Sequence, residues 1–109
     1  MIVSDDILSK ALAYLAEDPH PLANAQKAEL FAEKEKNEVF AQIYLAAEGT
    51  AKERESVVLV NSVYKAALEA EIETQGDVFR HKRRTDAAEK IISVWQSENA
   101  NARAAERVR

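Results

Sequence analysis

The sequence predicts an all-α protein: an elongated helical hairpin with a short N-terminal helix and one long, coiled-coil-like C-terminal helix. Three observations predict it. The 109 residues include only two glycines and two prolines, whereas a many-stranded sandwich or barrel needs a turn about every 8–12 residues. Apolar residues make up 47% of the chain but aromatics only 6%; the balance is rich in alanine, which suits close helix packing better than a thick core. Apolar positions recur at helical spacing in three successive segments. At this length one domain, residues 1–109, is expected.

The first helix is expected over about 5–17. Ser4 or Asp5 can cap its free N–H groups, and Ile7, Leu8, Ala11, Leu12 and Leu15 share one face. Asp18-Pro19-His20-Pro21 ends it, because proline disfavours helix in the residue before it and lacks a donor.

Pro21 suits the first turn of a second helix, expected over about 22–48. Its middle, Glu33-Lys34-Glu35-Lys36-Asn37-Glu38, contains no apolar residue. Good helix formers keep that stretch helical, but nothing in it drives burial. The turn that follows has the strongest local signature. Gly49 can adopt the left-handed conformation that closes a helix, Thr50 can cap the next, and Glu53 completes a capping box.

The third helix is expected over about 51–100, with residues 101–109 as an undocked end that frays. Val57, Val60, Tyr64, Ala67, Glu71, Thr74, Val78, His81, Thr85, Ala88, Ile92 and Trp95 follow one another by alternating steps of three and four. That is the spacing of a coiled-coil seam. Val60, Tyr64, Val78, Ile92 and Trp95 are the expected helix–helix contacts. Glu71, Thr74, His81 and Thr85 interrupt the apolar line and are expected to set register. A rival line, Leu68, Ile72 and Phe79, is apolar where the first is polar, so the stripe can drift and leave Glu71 at its edge. A strand over Val57-Val58-Leu59-Val60 is the competing local reading, but it has no partner strand.

A hairpin at Gly49-Thr50 places Pro21 opposite about Val78, so Phe79 to Trp95 needs another cover. Either the first helix folds onto it or a second copy of the chain does. A homo-oligomer, dimeric or larger, is the expected assembly.

Charge is divided along the chain. Residues 1–79 carry 7 Lys+Arg and 15 Asp+Glu, a net of −8; residues 80–109 carry 8 and 4, a net of +4. Arg80, Lys82, Arg83 and Arg84 form a compact basic stretch that could follow a phosphate backbone. The alternative is that these bases pair with the acidic part and keep a long helix soluble.

No motif for chemistry is found. Cysteine is absent, which excludes disulfides, thiol nucleophiles and Cys-ligated zinc. Neither a glycine-rich phosphate loop nor a His-Glu-x-x-His pattern occurs. His20 and His81 are too few for a metal site. No catalytic residue, metal or cofactor is therefore expected. Met1-Ile2-Val3-Ser4-Asp5-Asp6 lacks the basic and apolar regions of a signal peptide, and no stretch reaches the ~18 apolar residues of a membrane span. The cytoplasm is the expected location.

Two stretches carry a resemblance. One is Glu48-Gly49-Thr50-Ala51-Lys52-Glu53-Arg54-Glu55 followed by Ser62-Val63-Tyr64-Lys65. The other is Ala87 to Trp95 continuing through Asn99-Ala100-Asn101-Ala102-Arg103-Ala104. Over roughly residues 45–105 the chain resembles a family of small helical proteins of tailed bacteriophages and prophages. Gln96 stands where that family often has a basic residue. The resemblance implies an accessory role in DNA metabolism. With the apolar seam and the absence of catalytic motifs, the expected function is a non-enzymatic phage or prophage accessory or adaptor protein in the bacterial host cytoplasm, acting through helix–helix self-association; the alternative is a nucleic-acid-binding accessory of phage recombination or replication, with Arg80, Lys82, Arg83 and Arg84 on the phosphates.

Overall fold

The structure, a computed structural model, describes residues 2–108. It consists of α1 (Asp5–Leu15), α2 (Pro21–Ala46), α3 (Ala51–Val60) and α4 (Ser62–Val108), with no strand among the described residues. The fold class is all-α, as predicted. Two compact units can be distinguished: Met1–Leu22 with Arg80–Arg109, and Ala23–Phe79.

The predicted caps are in place. Ser4 Oγ accepts a hydrogen bond from the Ile7 N–H at 3.2 Å, and Thr50 Oγ1 accepts one from the Glu53 N–H at 3.2 Å. Gly49 has φ +110°, a conformation in which a side chain is strained, and a Cβ there would run into the Glu53 carboxylate. Arg54 Nε donates to the Gly49 carbonyl at 3.1 Å and ties the turn to the new helix. At the other corner, His20 Nδ1 accepts from the Leu22 N–H at 3.1 Å, capping α2 with an imidazole.

The third helix is not continuous. It breaks at Asn61, whose backbone is extended (φ −71°, ψ 130°). Asn61 closes α3 and opens α4: its Oδ1 accepts from the N–H groups of Val63 at 2.8 Å and Tyr64 at 3.4 Å. Asparagine is among the best N-cap residues, so the new helix is capped where the old one stops. Residues 57–60 are helical and not a strand. The tail is helical through Val108, because alanine and arginine are strong helix formers. Helices α1 and α2 stop at Leu15 and Ala46, two residues short of expectation.

In the unit Ala23–Phe79, α2 runs antiparallel to α3 and the first part of α4. Phe40 stacks on Tyr44 and meets the Tyr64 ring edge-on, with centroids 5.9 Å apart in both pairs. Val58 is the fully buried side chain, at 0% exposure. The three–four spacing predicts Val57 and Val60 as contacts, but the break at Asn61 changes the helical phase, and both are exposed, Val60 at 72%.

In the unit formed by Met1–Leu22 and Arg80–Arg109, α1 lies on the second part of α4. Ala11, Tyr14 and Ala88 form the core, with Leu15, Ile91 and Ile92 packed against it. Of the two covers considered for Phe79 to Trp95, the first helix is one that the protein uses.

Candidate functional site

From Tyr64 onward the three–four line is the buried line. Tyr64, Ala67, Thr74, Val78, His81, Thr85, Ile92 and Trp95 are half-buried, and Glu71 and Ala88 are buried. The polar members are held by specific partners. Glu71 is 9% exposed. Its Oε2 lies 2.8 Å from Lys36 Nζ, and its Oε1 accepts from Gln75 Nε2 at 3.2 Å. The hydrogen bond to Glu71 holds the Lys36 ammonium above its ordinary pKa; partial burial works against this, and the charge of Glu71 adds to it. Of the two alternatives for Glu71, the seam and its edge, the structure has the seam, and, against expectation, the charged stretch of α2 contributes a side chain, Lys36, to its surroundings. The reason is the same for both: a carboxylate and an ammonium that meet can be buried together where neither could be alone.

Thr74 Oγ1 donates to the Glu71 carbonyl at 2.8 Å. Thr85 Oγ1 donates to the His81 carbonyl at 2.8 Å. The Tyr14 hydroxyl reaches both groups, 3.2 Å from the His81 carbonyl and 3.1 Å from Thr85 Oγ1. Since Thr85 uses its proton on the carbonyl, Tyr14 is the donor to this pair. These contacts engage the side chains of Glu71, Thr74 and Thr85 and the backbone carbonyl of His81 within the chain.

The basic stretch is exposed. Arg80, Lys82, Arg83 and Arg84 all lie on the surface, and Arg84 places its guanidinium 4.3 Å from the Tyr14 ring centroid. Arginine stacks readily in this way. Sequence reasoning missed Glu98, whose carboxylate accepts the N–H groups of Ile2 at 2.8 Å and Val3 at 3.5 Å. It also missed the extent of exposed apolar surface: Leu30 and Phe31 on α2, Leu59 and Val60 on α3, and Ile72 and Phe79 on α4 are all exposed.

An open groove of about 290 Å³ runs between α1 and α4. Buried Ala11, Tyr14 and Ala88 form its floor; Ile7, Ala87 and Ile91 form its sides, with Lys10 and Arg84 at the rim. A second depression continues it past Ala87 and Ile91 to Val94, Lys90 and Ile2. Among the described residues no group of three His, Asp or Glu side chains could hold a metal ion. No helix there is long and apolar enough to cross a membrane.

These features define an all-α protein with apolar side chains on its surface and an apolar groove rimmed by cations. Compared with known proteins, the chain matches no family model, no curated protein and no solved structure.

Proposed function

We propose that this chain is a non-enzymatic adaptor that works through helix–helix association with further copies of itself. The observation that carries this reading is the exposed apolar surface: Ile72 is 58% and Phe79 63% exposed, and Leu30, Phe31, Leu59 and Val60 are exposed as well. Large apolar side chains left on the surface in this number favour contacts with another helix. The resemblance of residues 48–65 and 87–104 to small phage proteins supports a phage or prophage setting. Sedimentation velocity over a micromolar concentration range tests the association: a species heavier than one chain supports it, and a single 12.2 kDa species throughout ends it.

The second reading is a nucleic-acid-binding accessory. It is favoured by the exposure of Arg80, Lys82 and Arg83 within one turn of α4. Gel shifts at two salt concentrations test it, since phosphate contacts weaken steeply with salt. Lys82→Glu with Arg83→Glu is the informative variant, because Arg84 also packs on Tyr14.

A further inference from the structure

Cations and isoleucines stand together on one face of the unit that α1 forms with the second part of α4. We propose that this face docks on an anionic lipid surface. The docking uses other residues than helix–helix association and does not depend on it.

The pattern begins in α4. Arg80, Arg83, Arg84, Ala87, Lys90 and Ile91 follow one another at helical spacing, and Val94 continues the line. They therefore share one side of the helix. These seven positions hold four cations and no acid; Asp86 flanks the line and Glu89 lies on the opposite side of the helix. All four cations are exposed. Arg84 rests its guanidinium 4.3 Å from the Tyr14 ring centroid, and a guanidinium stacked on its face keeps N–H groups at its edge for a phosphate.

The first helix and the residues before it complete the face. Ile7 and Lys10 line the groove with Arg84, Ala87 and Ile91. Ile2 lines the next depression with Ala87, Lys90, Ile91 and Val94. Ala87 and Ile91 belong to both, so the two depressions make one surface. Ile2 is 86% and Ile7 42% exposed. Glu98, one turn beyond Val94, accepts the N–H groups of Ile2 and Val3 and so holds this segment against α4. Lys10 meets Asp6 at 3.1 Å, an exposed pair that is weak and easily exchanged.

Cations alone attract any polyanion, and the isoleucines decide between them. A phosphate backbone has no use for Ile2 and Ile7 beside the arginines. The interface of an anionic bilayer takes both kinds of side chain: headgroups meet the cations and the acyl boundary receives the isoleucines. Lys10, Arg80, Arg83, Arg84 and Lys90 also fall within the roughly 4–8 basic residues that recognise anionic lipid in this way. A shallow surface suffices, because lipid settles over the face and enters no deep pocket. The attachment is peripheral, since no helix among the described residues is long and apolar enough to cross a membrane.

Vesicle co-sedimentation with the full chain tests this. The wild type should sediment with vesicles of phosphatidylcholine and phosphatidylglycerol and stay in solution with phosphatidylcholine alone. Lys10→Glu with Lys90→Glu should weaken binding to the anionic vesicles at least roughly tenfold. Ile2→Ser with Ile7→Ser should weaken it to a similar extent, roughly tenfold, by removing the apolar part of the contact. Circular dichroism checks the helicity of each variant; Ile2→Ser alone, which lies outside the helices, replaces the double variant if that one unfolds. If the wild type binds neither vesicle, or both alike, the inference fails. If the isoleucine variants bind as tightly as the wild type, charge alone is at work and the inference fails. If duplex DNA is bound while anionic vesicles are not, the cations serve nucleic acid and the inference is overturned.

Discussion

Lys36 Nζ lies 2.8 Å from Glu71 Oε2, joining the charged middle of α2 to the seam of α4. A lysine and a glutamate thus occupy a position that an apolar pair could fill. Such pairs are weak evidence for stability, but removing one member exposes the cost of burying the other. Lys36→Met should lower the urea midpoint by leaving the Glu71 carboxylate buried without its cation. Glu71→Leu should lower it less, because Lys36 can turn outward. The double variant should recover most of the loss. Three chemical unfolding curves against the wild type decide this.

The same contact carries a pH dependence. The folded-state pKa of Lys36 is raised above its ordinary value, chiefly by its hydrogen bond to Glu71. A raised folded pKa means that folding favours the protonated form. The contribution is full below the unfolded value, about pH 10.4, and is lost as pH rises through the folded value. Urea midpoints measured across that alkaline range should fall more steeply for the wild type than for Lys36→Met. Parallel slopes would contradict it.

Tyr14 anchors α1 through its hydroxyl to the His81 carbonyl and Thr85 Oγ1. Tyr14→Phe keeps the ring in its pocket and removes only the donor. Thr85 still satisfies the carbonyl, so the loss should be about 1 kcal/mol. Tyr14→Ala also empties the core beside Ala11 and Ala88 and should cost about 3–5 kcal/mol. Thermal denaturation followed at 222 nm separates the two.

Asn61 divides α3 from α4 by capping the second helix. Asn61→Ala removes the acceptor for the Val63 and Tyr64 N–H groups and should cost about 1 kcal/mol. Alanine also favours running the two helices together, which would turn Val58 off the buried line. A rise in helicity accompanied by a lower melting temperature is the expected signature.

Gly76 is exposed in the interior of α4 with open space before it. Gly76→Ala should therefore raise the stability of the single chain, by about 0.5–1 kcal/mol. Thermal denaturation at dilute concentration is the measurement. A destabilised variant would show that the helix needs the glycine for its own sake.

Much of the local structure was legible in the residues. Ser4, Pro21, Gly49 and Thr50 signal helix boundaries by chemistry that acts within one turn; Ser4, Pro21 and Thr50 stand at helix starts, and Gly49 takes a positive φ in the turn three residues past the end of α2. The three–four line from Tyr64 to Trp95 was legible because a helix that buries one face must repeat near every 3.5 residues. Asn61 carried a signal that was passed over: a strong capping residue, with neither glycine nor proline beside it to mark a stop. The groove was not legible, since Ile7 and Ile91 come from distant parts of the chain.

The sequence by itself determined that the chain is helical, where α1, α2 and α3 begin, and which face of α4 is buried. These follow from backbone chemistry and periodicity, which act over a few residues. Only the tertiary structure decided that Lys36 would meet Glu71, that Tyr14 would reach His81 and Thr85, and that Ile72 and Phe79 would stay on the surface. Those outcomes depend on which face meets which partner across distant segments, and a side chain's own polarity does not specify its neighbour.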